Sequence, residues 1–203
     1  MHMLHPNFVI IGTIISAIGT ISYIIETIKG TVKPNRVSFL LWSVAPLIAF
    51  AAMSQQGVGI SSLMTFSTGF LPLLVFIASF VNKNAVWALT RFDVICGALS
   101  VIGLVLWYIT QVGTIAIIFS IIADGLAAIP TIRKAYSHPE TEIAWPWLAT
   151  AIGVIITLLT LQSWTFADWG FMSYILLVSV TMYLLVRFRP RSHRSTPHNR
   201  RAS

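Results

Sequence analysis

GTIISAIGTISYIIETIK, residues 12–29, and GTIAIIFSIIADGLAAIPTIRK, residues 113–134, are two versions of one pattern, and the expected architecture follows from them. Each opens Gly-Thr-Ile. Each then runs apolar and closes on Thr-Ile plus a basic residue, Thr27-Ile28-Lys29 in the first and Thr131-Ile132-Arg133 in the second. A short basic segment with a proline follows both, Pro34 in one and Pro139 in the other. The next apolar run carries Trp42 and Pro46 in the first copy, and Trp145, Pro146 and Trp147 in the second. Glutamine then ends each run, Gln55 and Gln56 against Gln162.

Working outward from these stretches, seven apolar runs account for most of the chain, at residues 8–28, 37–53, 60–80, 92–109, 115–132, 143–161 and 169–186. The 203-residue chain is 56% apolar and only 9% charged. Soluble domains carry about a quarter charged residues, so lipid is the solvent expected for most of this surface. A helix needs about 20 apolar residues to cross about 30 Å of hydrocarbon. Runs of that length must satisfy their own backbone hydrogen bonds, so they are read as helices. They lack the alternation that a barrel strand shows. Residues 1–7 contain no Lys or Arg, which speaks against a cleaved signal peptide and for a first helix at 8–28.

The basic residues set the sidedness. Lys29, Lys33 and Arg36 follow the first run, Lys83 and Arg91 the third, and Arg133 and Lys134 the fifth. Arg187, Arg189, Arg191, Arg194, Arg200 and Arg201 follow the last, which accounts for all 13. The N-terminal segment and the other three connections have none. Cytoplasmic loops collect Lys and Arg, so the expected topology has seven crossings, the N-terminus outside and the C-terminus inside. Both copies of the repeat then start outside and run the same way. Parallel three-helix units need an extra, inverting span between them, and residues 92–109 supply it. The expected fold is therefore all-α membrane, seven transmembrane helices as two parallel three-helix repeats joined by an inverting linker helix, 3+1+3. Residues 1–81 form the first repeat, 82–110 the linker helix, 111–187 the second repeat and 188–203 a disordered basic cytoplasmic tail. That tail is a topology anchor or a contact for anionic lipid. No nucleic acid partner is expected, and a homo-oligomer is left open. Short loops suit a bacterial inner membrane.

At Glu26-Thr27-Ile28-Lys29 and Pro130-Thr131-Ile132-Arg133, with the Trp and Pro of the helices that follow, the chain resembles the PQ-loop superfamily, which includes the SWEET and SemiSWEET sugar transporters. The likeness covers roughly residues 8–186. That family has a Pro-Gln pair near the cytoplasmic end of the first helix of each triplet. Here Pro130 stands at the proline position followed by Thr131, and Glu26-Thr27 replaces the other pair. The resemblance implies a central path between the triplets, open alternately to each side, with Pro46, Pro130 and Pro146 as hinges. The alternative for these prolines is a simple kink in a packed helix. SWEET-type sugar carriers also place an Asn in the third helix of each triplet, whereas Asn7, Asn35, Asn82, Asn84 and Asn199 all lie outside the apolar runs. The solute is thus left open among a sugar, an amino acid and a similar metabolite.

Charge inside a membrane is costly and usually functional. Asp124 lies mid-run, with Ser120 one turn before it and Ala128 and Thr131 after it on one face. It is a candidate for solute contact or for proton exchange during transport; the alternative is a hydrogen-bonded structural bridge. Glu26, at the equivalent helix of the first triplet, is a second candidate, and its alternative is a pair with Lys29 or Lys33. Tyr23, Trp42, Trp145 and Thr65 complete the expected path, the tryptophans having an interfacial belt as their other reading. Asp93 is expected to pair with Arg91. Cys96 is alone, and all five His lie outside the runs, so no metal, cofactor or enzymatic centre is expected. The expected function is a secondary carrier moving a small polar solute by alternating access; the alternative is a non-transporting membrane sensor or assembly protein.

Overall fold

The computed structural model describes residues 4–55, 62–110, 113–161, 164 and 166–189. Within these the chain is all-helical, with no strand. Seven α-helices follow in order: α1 (Phe8–Lys29), α2 (Arg36–Gln55), α3 (Ser62–Ala78), α4 (Arg91–Thr110), α5 (Gly113–Ser137), α6 (Trp145–Leu159) and α7 (Phe166–Phe188). A single 3₁₀ turn, Pro139–Thr141, lies between α5 and α6. The expected disordered tail falls outside the described residues from position 190 onward.

Local chemistry explains the helix ends. α1 stops at Gly30, whose φ of 83° is open to glycine at little cost. The Gly30 amide donates to the Thr27 carbonyl, and the Thr31 amide to that of Glu26, which satisfies the last carbonyls of the helix. Asn35 caps α2, its Oδ1 accepting from the amides of Val37 and Ser38 at 3.1 and 3.4 Å. α4 starts on a reciprocal capping box: Asp93 accepts from the Thr90 amide at 2.6 Å, and Thr90 Oγ1 accepts from the Asp93 amide at 3.3 Å. Asp93 is therefore a cap and not the partner of Arg91, which corrects the expectation from spacing. α5 runs five residues beyond the expected end at 132, through Pro130, to Ser137. Arg133-Lys134 does not mark a helix end, because Lys134 is buried against the segment that follows.

Burial runs inside out relative to a water-soluble helix. On α1 the isoleucines 11, 14, 18, 21, 25 and 28 are all exposed, each at 43–53%. The opposite face, Gly12, Thr13, Ser16, Gly19, Tyr23 and Thr27, is small or polar and buried. α1 and the Trp169–Phe188 portion of α7 are long and apolar enough to cross a membrane. α4 and α5, at 20 and 25 residues, are of comparable length.

The helices pack in a regular set of pairs. α1 contacts α3 and α6, and α3 contacts α2. α5 contacts α7 and α2, and α7 contacts α6. Exchanging α1, α2 and α3 for α5, α6 and α7 maps this set onto itself; α4, packed on α5 and α2, stands outside it. At the α1–α6 crossing the backbones nearly touch. A Cβ on Gly153 would lie 2.4 Å from the Gly12 carbonyl oxygen, and one on Gly12 would lie 2.6 Å from that of Gly153. Small residues permit that approach, as they do where helices meet without a hydrophobic drive.

Candidate functional site

Between the helix pairs lies a cavity of about 120 Å³, walled by α1, α2, α3, α5, α6 and α7. Tyr23, Phe39, Trp42 and Trp147 form one side of it. α3 adds Ser67, Thr68 and Pro72, and α7 adds Phe171, Ile175 and Ser179. Among the described residues, Asp124 is the one Asp, Glu, Lys, Arg or His in the lining.

Asp124 is buried. Its Oδ2 accepts from the Tyr174 hydroxyl on α7 at 2.7 Å, while its backbone carbonyl accepts from Trp42 Nε1 on α2 at 3.4 Å. One residue of α5 thus ties two neighbouring helices. The two ion pairs among the described residues, Lys29–Glu26 and Lys134–Glu142, do not involve it. A buried carboxylate with neutral partners alone is a costly arrangement unless it is protonated or meets a cation.

Beside the aromatic side of the cavity sits a second polar group. Tyr23 donates its hydroxyl to Glu142 Oε1 at 3.1 Å. Glu142 is ion-paired with Lys134, and neither side chain has exposed surface. Lys134 also donates to the Lys33 carbonyl, and its ammonium lies 5.6 Å from the Trp87 ring centroid. This network joins α1, the α1–α2 loop, the α3–α4 loop, α5 and the 3₁₀ segment.

Of the residues expected from sequence to line the path, the cavity brings together Tyr23, Trp42, Asp124, Pro46 and Pro146. Pro46 is inside α2, where it removes a helix hydrogen bond. Pro146 lies in the first turn of α6, where none is lost. Pro130 is inside α5 and buried, away from the cavity lining. Thr131 is buried with its hydroxyl unpartnered, also off the lining. Glu26 is not brought to the cavity. It pairs with Lys29 at 2.7 Å and accepts from the Thr31 hydroxyl at 2.6 Å at the end of α1. Thr65 lies off the lining too, its carbonyl accepting from Thr68 at 2.9 Å. The Ser120 side chain lies outside the described residues.

Trp145 is 49% exposed, and Trp147 takes the wall instead. Residues two apart on a helix point about 200° apart, so only one of the pair can face inward. Sequence reasoning left Phe39, Lys134 and Glu142 out of the site. Phe39 and Trp42 share an i, i+3 face of α2, a signal that could have paired them. Lys134 served as a marker of sidedness, and nothing in its spacing to Glu142 reveals a buried pair.

No protein-family profile, curated protein or solved structure matches the chain.

Proposed function

We propose that this chain is a seven-span membrane carrier that moves a small polar solute by alternating access, built as two parallel three-helix units around α4 and related to the PQ-loop superfamily. The observation that carries it is the cavity between the two sets of helices, with Asp124 in its otherwise uncharged wall. A bilayer is the solvent that the outward isoleucine face of α1 calls for. The exchange relation among the helix pairs is what two copies of one unit would produce, and α4 is then the inverting span. Alternate basic connections put the N-terminus outside and the C-terminus in the cytoplasm.

In this mechanism the buried Lys134–Glu142–Tyr23 network closes one end of the cavity. Pro46 in α2, Pro72 in α3 and Pro130 in α5 are interior prolines where the helices bend between states. Asp124 contacts the solute, or exchanges a proton during the cycle.

The test is uptake by proteoliposomes holding the purified protein, assayed against a panel of small sugars, amino acids and amines. Uptake of at least one solute above protein-free vesicles is expected, falling about tenfold or more in Asp124→Asn through loss of a charge-assisted contact. Absence of uptake for every solute sinks the carrier and favours a non-transporting sensor or assembly role. Unchanged uptake in Asp124→Asn removes Asp124 from the mechanism.

A further inference from the structure

The carrier reading leaves the solute's chemistry open, and the cavity wall narrows it. Four aromatic rings there close a circuit. Ring centroids are 5.4 Å apart for Tyr23 and Phe39 and 5.2 Å for Phe39 and Trp42. They are 6.1 Å apart for Trp42 and Trp147 and 6.4 Å for Trp147 and Tyr23. All four line the cavity, and they come from three helices, α1, α2 and α6. Ring faces carry negative potential, and a cation within about 6 Å of a centroid is attracted, most strongly where water is excluded.

Asp124 is the second, independent feature. It lines the same cavity, is buried, and has no cationic partner. Trp42 belongs to the ring and donates to the Asp124 carbonyl, so the two features are joined. Among the described residues, no lysine, arginine or histidine lines the cavity.

Three hydroxyls of the wall add acceptors to it. Thr20, Thr68 and Thr150 donate to the carbonyls of Ser16, Thr65 and Pro146 on their own helices. Their protons are committed, and what they offer a solute is acceptor lone pairs. An ammonium group needs acceptors alone, while the buried and unpartnered Ser16 Oγ and Trp147 Nε1 leave donors for another part of the solute.

We propose that the cavity binds an organic cation, a substituted or quaternary ammonium borne by a small solute, with its head against the Tyr23–Phe39–Trp42–Trp147 wall and its charge balanced by Asp124. This deepens the carrier reading and takes its cavity as the solute site.

The experiment titrates the full-length purified protein with choline, and separately with 3,3-dimethylbutan-1-ol, its uncharged isostere, following tryptophan fluorescence and heat. Choline is expected to bind saturably, and the isostere about tenfold more weakly or less. Asp124→Asn and Trp147→Leu are each expected to weaken choline about tenfold, while Trp145→Leu, on the exposed face, leaves it unchanged. Equal affinity for the two probes, no saturable choline binding to folded protein, or full affinity in Asp124→Asn overturns the assignment. Should Trp147→Leu fail to fold, the probe pair and Asp124→Asn decide. Choline binding without flux in proteoliposomes sinks the carrier and keeps the cation site. Flux of an uncharged solute without choline binding does the reverse.

Discussion

Lys134 is a charged side chain with no exposed surface, and Glu142 is its equally buried partner. Such a pair costs desolvation on both sides, and the mutual attraction returns that cost only with further hydrogen bonds. Here the Tyr23 hydroxyl and the Lys33 carbonyl supply two, while Glu142 Oε2 is buried without a partner. Removing one partner strands the other charge. Lys134→Met is therefore expected to destabilise the folded protein by about 3–5 kcal/mol. The double variant Lys134→Met with Glu142→Leu is expected to recover much of that loss, since no charge is then buried alone. Thermal unfolding of the three proteins in one detergent checks it; a double variant no better than the single one would show that the pair acts through packing instead. Tyr23 binds this network with its hydroxyl and the cavity with its ring.

At the scale of the helix, the lesson is in the faces. α1 turns isoleucines outward and keeps glycine, serine and threonine inside. Helices in lipid gain nothing by burying aliphatic surface against each other, so close backbone approach and hydrogen bonding hold them together. Ser38 donates across to the Ala127 carbonyl and Ser100 to the Ala123 carbonyl, both at 2.6 Å, linking α2 and α4 to α5. The α1–α6 crossing depends on Gly12 and Gly153. Gly153→Ala places a methyl group against backbone that cannot yield, and is expected to cost about 1–3 kcal/mol of stability. Gly125→Ala is the contrasting case. Its Cβ would meet only a ring carbon and the hydroxyl oxygen of Tyr174, both at 3.8 Å, so helix propensity decides, with a gain of up to about 1 kcal/mol. Unfolding curves for the two variants should shift in opposite directions.

For the whole molecule, sidedness is the property on which the carrier mechanism stands. Reporter fusions after positions 30, 56, 84, 112, 138, 162 and 189 are expected to alternate, inside first and inside last. Two neighbouring fusions on one side would remove a crossing and end the parallel arrangement of the repeats. The exchange relation among helix pairs would then need another origin than duplication.

Composition and the lengths of the apolar runs by themselves determined that this chain is helical and where its helices lie to within about five residues. Each of these is a local property. Twenty residues without charge must be helix in hydrocarbon, whatever they pack against. Asp124 was legible for the same reason, as a charge in an apolar run. Tertiary structure alone decided what surrounds it. The tryptophan that faces the cavity is Trp147 and not Trp145, because helix rotation is set by the neighbour that α6 meets. Lys134 went into the interior because a partner from another element, Glu142 beyond the helix, satisfied it there. A ring drawn from three helices has no spacing in sequence, since its members are brought together only by how those helices cross.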